Sequence, residues 1–475
     1  MRGSDFLQLD LADVPLGSRT EVLTARIRRS LTDGSLPVGV RLPATRVLAG
    51  ELGCARGTVT EAYRRLTEVG LLTARAGAGT RVAARPAQPR GPVPAGAAGP
   101  RSYGTPSDEA RPGSDGPDPI DLATGVPDLA AFPRAAWLRA EREVLTGATA
   151  RDLGYAPPAG APRLREELAA WLARSRSVAV DPEQIVVTGG VTGALSLLAQ
   201  VLVADRHTTI GVENPGAHGN RRILEHWMPG LTPVPVDEEG LIVEAIGDDV
   251  HAVLVTPAHQ YPTGVVLSPA RRRELVDWAR DGDHVVVEDD YDAEYRYDRR
   301  PVPALHPHAP DRIAHTSSLS KTLAPALRLG WLIPPPHWLE RVVELRWATD
   351  LGSPALPQLT LAHLLRTGAL ERHLRLMRTR HRHRRDAAVE ALHRALPGVA
   401  VGGIAAGLHL VVPLPADVDD VQVAADIRDL GVLVQPLSGH FLADARPGLV
   451  LSYAAQHPAT LHAAIERLAT AVPRG

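Results

Sequence analysis

The chain has one cysteine, Cys54, so no disulfide can form within it, in keeping with a reducing compartment. Lysine is just as scarce: of 52 basic residues, 51 are arginine and the exception is Lys321. Long apolar runs are missing too. Stretches such as 201–204 and 285–287 fall far short of the roughly 20 residues that cross a bilayer, so neither a transmembrane helix nor a membrane partner is expected. The opening MRGSDFLQLDLADVP puts acids where a signal peptide has a basic stretch and an apolar core. A cytoplasmic location is therefore expected rather than export. Nor does one sign of charge dominate, since the formal net charge is -2 over 475 residues and gives no global sign of nucleic acid.

What remains is ample for more than one core, with 44% hydrophobic and 22% charged residues at the globular average. The overall charge hides a local asymmetry: residues 1–84 hold twelve arginines against eight acids. Helical periodicity in Val22, Ile27 and Leu31 ends at Asp33-Gly34. A short helix is expected from Thr45 through Leu52, stopped by Gly53, and another over Arg56 to Glu68, with Val59, Tyr63, Leu66 and Val69 inward. Two helices joined by a tight turn, the second opening with arginine and threonine, fit a helix-turn-helix that enters the major groove by its N-terminal end. LLTARAGAGTRVAA then reads as a β-hairpin wing whose glycines, flanked by Arg75 and Arg81, can approach a phosphate closely.

Residues 85–119 contain nine prolines and six glycines with hardly an apolar side chain, the composition of a linker. Beyond it, strand-like runs alternate with amphipathic stretches, as in an α/β domain with a mostly parallel sheet. Lys321 lies in HTSSLSKTLAPALRLGWLI, a serine-rich turn between two apolar strands. Its uniqueness is informative, because arginine supplies charge equally well but does not form a Schiff base. HVVVEDDYDAEYRY places Asp289 or Asp290 at the carboxyl end of a buried strand, where α/β folds bind ligands. Pyridoxal phosphate gives these residues a common purpose. It needs an amine (Lys321), a carboxylate for the pyridine nitrogen (Asp289), a donor to the ring oxygen (Tyr291) and a phosphate cradle. VVTGGVTGALSLLAQVL supplies the cradle where a strand ends at Gly189-Gly190 and a helix starts near Val191 and Thr192, with Ser318, Ser320 and the fork-shaped Arg328 completing it. No metal site is expected.

Two resemblances follow from these motifs. Residues 15–84, with GVRLPATRVLAGELG, ARGTVTEAYRRLTEVGLL and GAGTRV, resemble the winged helix-turn-helix of GntR-family transcription regulators, which implies DNA contacts at Arg46, Arg56, Thr58 and Gly77, alongside Arg75. Ala55 and Thr60 depart from the family's usual hydroxyl and basic side chain. Residues 119–475 resemble a fold-type I aminotransferase through DLATGVPDLAAFPRAAW, LGYAPPAGAPRLREELAAWLARSR, VTPAHQYPTG, EDDYDAEYRY and SLSKTLAPALRLGW. Joined by a linker over 85–118, the two resemble the MocR/PdxR-like subfamily of GntR regulators. That likeness implies Lys321 holding pyridoxal phosphate as a Schiff base, Tyr261 or His259 near the ring, a head-to-tail homodimer, an operator of double-stranded DNA with two half-sites, and a small-molecule effector.

Two departures bear on function. Ala217 stands where relatives have an aromatic residue that stacks on the ring, leaving His218 as a substitute. Val450, in GLVLSYA, stands where aminotransferases carry the arginine that clamps the substrate carboxylate, with Arg446 nearby as a displaced clamp. Transamination is therefore not expected, and the effector is expected to be pyridoxal phosphate itself, with genes of vitamin B6 synthesis or salvage under control, or else an amine or amino acid. The competing readings are a catalytically active aminotransferase carrying a DNA-binding module, and a regulator whose vestigial domain binds no cofactor.

Overall fold

The computed structural model describes residues 11, 14–75, 79–86, 119–123, 125–298, 302–402 and 405–473, so Gly77 and nearly all of the expected linker lie outside the described residues. The chain divides into two compact units, Met1–Ser102 and Tyr103–Gly475.

In the first unit, α1 (Arg19–Asp33) stops where Gly34 takes φ +88°, a left-handed conformation that a side chain would strain. Then come α2 (Thr45–Glu51) and α3 (Arg56–Glu68). Leu23, Ile27 and Leu31 of α1 meet Leu48 of α2 and Val59, Ala62, Tyr63 and Leu66 of α3 in one apolar core. Val69 does not join it as expected. The helix has ended, Gly70 turns the chain at φ +74°, and Val69 is left 56% exposed. The strands β1 (Leu72–Arg75) and β2 (Gly79–Val82) pair antiparallel from Leu72↔Val82 to Arg75↔Gly79 and form the wing.

The second unit runs β3 (Ile120–Asp121), α4 (Arg134–Gly147), α5 (Pro162–Arg176), β4 (Val186–Thr188), α6 (Val191–Ala204), β5 (Thr209–Asn214), α7 (His218–Trp227), β6 (Gly230–Asp237), β7 (Gly240–Leu241), β8 (Ala252–Val255), α8 (Pro269–Asp281), β9 (Val285–Asp289), β10 (Ile313–Ser318) and β11 (Gly330–Ile333). It continues with α9 (Leu339–Asp350), α10 (Ala355–Arg366), α11 (Ala369–Ala395), β12 (His409–Pro413), α12 (Asp420–Asp429), β13 (Val432–Leu433), β14 (Gln435–Pro436), β15 (Gly448–Ser452) and α13 (Pro458–Leu468). The main sheet has eight strands in the order β4-β11-β10-β9-β8-β5-β6-β7. From β10 to β6 the neighbours are parallel, whereas β11 is antiparallel to both β4 and β10.

Alternation along β9 explains why its apolar run is continuous. Val285 and Val287 pack with Ala194, Leu198 and Leu202 of α6, while Val286 packs with Leu275 and Ala279 of α8. A parallel strand covered on both faces needs no polar side. Since β4, β8, β9 and β10 point the same way, Thr188, Val255, Asp289 and Ser318 end on one edge of the sheet. A separate layer of β12, β15 and β14 packs with α11, α12 and α13. Among the described residues, no helix is long and apolar enough to cross a membrane.

Candidate functional site

The sheet edge assembles the predicted residues of the large unit. Asp289 closes β9, is buried, and accepts from Asn220 Nδ2 on α7 at 2.8 Å through Oδ2. Its other oxygen, Oδ1, is buried and has no hydrogen-bond partner among the described residues. Burial, with the neighbouring Asp290 and Asp292 charges adding to it and Asn220 and Lys321 opposing it, raises the Asp289 pKa to about 7. Lys321 follows β10, half-buried, and its Nζ donates to the Gly125 carbonyl at 2.7 Å. Burial lowers its pKa, while Asp292 and Asp289 pull it back up.

The stretch after β4 takes the shape of a helix-start cradle. Gly189 and Gly190 lead into α6, which begins at Val191 with Thr192 next, so the first N–H groups of a 14-residue helix have no partner within it. Gly190 has φ +94°, and a Cβ there would sit 3.4 Å from Arg328 Nη2. Arg328 reaches this place from the far side of the Lys321 turn, at φ +50°, and donates to the Gly189 carbonyl. Ser318 is buried at the end of β10, and its Oγ accepts from the Ser320 N–H at 3.4 Å. Gly330 lets the strands close up here, since a Cβ on it would lie 2.7 Å from the Gly190 Cα.

Tyr291 and Tyr261 stand edge to face with centroids 6.2 Å apart. Tyr291 Oη lies 3.1 Å from His259 Nδ1, and the same nitrogen lies 2.9 Å from Asp292 Oδ2. Tyr261 Oη donates to Gln435 Oε1 at 3.3 Å, and His440 Nε2 is 3.0 Å from that oxygen. His218 is exposed in the first turn of α7, and Arg446 is exposed before β15. Val450 is buried on β15 with Val411 and Leu437, and Phe441 packs against them. An apolar cluster therefore occupies the position considered for a carboxylate clamp.

Asn220, Asp292, Gly125, His409, His440 and Gln435 were not evident from the sequence. Asn220 sits three residues beyond Ala217, and nothing in its neighbourhood signals a side chain aimed at a distant strand. The wall of His409, His440 and Gln435 comes from two separate segments, one at His409 and one over 435–440, that only the fold brings together.

In the small unit, Arg46 is exposed on the first turn of α2 and Arg56 is exposed at the first position of α3, with Arg56 Nε donating to Thr45 Oγ1 at 3.3 Å. Thr58 is half-buried and Arg75 is exposed at the tip of β1. Arg64 and Arg65 instead pair with Glu61, at 2.6 and 2.8 Å.

Comparison with known proteins decides the family. The model for bacterial regulatory proteins of the gntR family matches residues 19–82, and that for class I and II aminotransferases matches residues 117–468. The HTH-type pyridoxine biosynthesis transcriptional regulator PdxR of Corynebacterium glutamicum is 35% identical, over 98% of this chain and 100% of its own. This chain belongs to the MocR/PdxR-type GntR regulators. The probable rhizopine catabolism regulatory protein MocR of Rhizobium meliloti is 32% identical over 97% of this chain and 94% of its own. Among solved structures, an archaeal alanine:glyoxylate aminotransferase matches 75% of this regulator and 91% of its own chain with a TM-score of 0.70 and 29% identity. The regulator thus joins a DNA-binding winged helix to a domain with the fold-type I aminotransferase fold.

Proposed function

We propose that this regulator binds pyridoxal phosphate at Lys321 and that occupancy there changes how its winged helices engage an operator. The observation that carries the reading is Asp289 Oδ1, a buried acceptor without a partner among the described residues, on the same sheet edge as the sole lysine and the open N-terminus of α6. An unsatisfied buried carboxylate oxygen is costly, so a donor belongs there. The residues fit the cofactor. When bound, pyridoxal phosphate supplies an aldehyde that condenses reversibly with an amine, a basic ring nitrogen and a phosphate.

The chain's own groups divide the work. Lys321 provides the amine, held by the Gly125 carbonyl and eased toward its neutral, nucleophilic form by burial. Asp289, oriented by Asn220, gains most from a cationic donor at Oδ1, because burial otherwise favours its protonated form. His259, itself held by Asp292, fixes the Tyr291 hydroxyl. The N–H groups of Val191 and Thr192, with Ser318, Ser320 and Arg328, hold the phosphate.

The effector in this reading is pyridoxal phosphate itself, and the regulated genes serve vitamin B6 synthesis or salvage. The apolar surroundings of Val450 support an effector without an amino-acid carboxylate, and they weigh against a working aminotransferase. A relative named for pyridoxine biosynthesis supports the same choice. The regulator acts as a cytoplasmic head-to-tail homodimer on paired half-sites. Supporting this, Leu138, Leu145, Leu153, Tyr155, Trp347 and Leu351 are all exposed, with Tyr155 92% exposed, more apolar side chain than a lone domain usually shows to water. The test is spectroscopic: adding pyridoxal phosphate gives a visible band that borohydride fixes to the peptide holding Lys321. A colourless mixture with no labelled peptide rejects the proposal.

A further inference from the structure

The long helix α11 has two faces of different chemistry. Its inner face is committed to the fold: Leu370, Leu374 and Met377 are buried, and Asp128 takes the buried Arg384 at 2.7 Å, with the exposed Arg380 at the margin of that face pairing with the same carboxylate at 2.6 Å. His373 Nε2 lies 3.2 Å from the carbonyl of Thr322, the residue after Lys321. The outer face exposes Arg372, Arg375, Thr379, Arg382 and His383. These recur at spacings of three and four, so they form one stripe about 16 Å long.

This stripe is short of anions. Residues 371–385 contain seven arginines and one acid, Glu371, in a chain whose net charge is -2. Among the described residues, Arg375 and Arg382 have no acidic partner, and Arg372 donates only to the Thr367 carbonyl, at 3.1 Å. Like charges three and four apart on a helix repel, and a solvated helix ordinarily alternates its signs. A run of this kind is relieved by a polyanion.

We propose that the outer face of α11 is a second DNA contact, in which Arg372, Arg375 and Arg382 grip backbone phosphates flanking the sequence read by the winged helix. The inference rests on the regulator reading. DNA is favoured over an acidic protein because the winged helix is on the same polypeptide as α11, and such tethering raises the local phosphate concentration. A DNA strand carries a phosphate about every 3.4 Å along the axis, so the stripe spans several. Because the inner face of α11 touches the Lys321 turn, this contact also stands next to the ligand site.

The test uses the full chain and its Arg375→Ala/Arg382→Ala variant on two duplexes, one of about 20 bp holding only the paired half-sites and one with flanks of a further helical turn or more on each side. The parent is expected to bind the longer duplex more tightly and with a steeper salt dependence. In the variant the slope of log K against log salt on the long duplex falls by about 2, near 0.9 per phosphate released, with the short duplex and the visible titration with pyridoxal phosphate unchanged. Equal slopes for parent and variant on the long duplex overturn the inference and leave the stripe to an acidic protein. A parent that binds neither duplex overturns the regulator reading, and this inference with it.

Discussion

The Asn220 side-chain amide donates to Asp289 Oδ2 at 2.8 Å and leaves Oδ1, equally buried, facing no partner among the described residues. The two oxygens of one carboxylate thus have different roles, one fixing its orientation and the other free to receive a donor. Asp289→Asn removes the charge and puts an amide nitrogen or a weaker acceptor in that place. It is expected to weaken pyridoxal phosphate binding by about 1.5–3 kcal/mol, tenfold or more in dissociation constant by absorbance titration. Asn220→Ala loses only the orienting bond and is expected to cost about 1 kcal/mol.

Gly190→Ala probes the phosphate cradle without touching the amine. Alanine at φ +94°, ψ −176°, a region nearly confined to glycine, costs about 1–3 kcal/mol, and its Cβ comes to 3.4 Å from Arg328 Nη2. Cofactor affinity is expected to fall roughly tenfold while the winged helix binds DNA as before, measured by absorbance and by electrophoretic mobility shift.

The large unit's fold was legible wherever chemistry repeats with a period. Continuous apolar runs such as VVV before EDD announce a doubly covered strand, and the fold keeps that promise by burying Val285 and Val287 on one side and Val286 on the other. In the small unit, Gly34 and Gly53 marked helix ends because their left-handed conformations suit no other residue well. Pairings across distant segments were not legible. Nothing in GNRR near Asn220 or in LHL near His409 signals a partner some seventy or more residues away, since side-chain reach depends on how helices lie across the sheet. Val69 failed for a local reason: apolar spacing continues past Glu68, but the helix does not.

Arg56 opens α3 with its guanidinium exposed and, among the described residues, only Thr45 Oγ1 as partner. Arg56→Ala is expected to weaken operator binding by about 1–3 kcal/mol if the arginine reads a guanine edge, and to leave cofactor titration unchanged. Arg64→Ala, which breaks only exposed pairs with Glu61 and Glu68, is expected to change operator binding far less.

His381 is fully buried on α11, with its ring 4.7 Å from that of Tyr295 and neither nitrogen hydrogen-bonded among the described residues. Burial, reinforced by Arg384 and Arg380, lowers its pKa to about 3. Its unfolded value is near 6.5, so between those pH values the unfolded chain binds a proton that the folded chain refuses. Stability is therefore kept above pH 6.5 and lost on acidification toward 3. His381→Phe removes that loss. Relative to the parent, the variant is expected to gain about 2 kcal/mol between pH 7.5 and pH 5, read as a widening gap in thermal midpoint. A gap independent of pH contradicts the assignment.

The most direct test of the central claim follows operator affinity of the full chain while pyridoxal phosphate is titrated, beside the same titration of Lys321→Ala. Affinity is expected to shift as the visible band saturates, and the variant to bind operator at its starting affinity with neither band nor shift. Operator affinity that ignores the cofactor while the band forms, or that shifts equally in the variant, would contradict the claim.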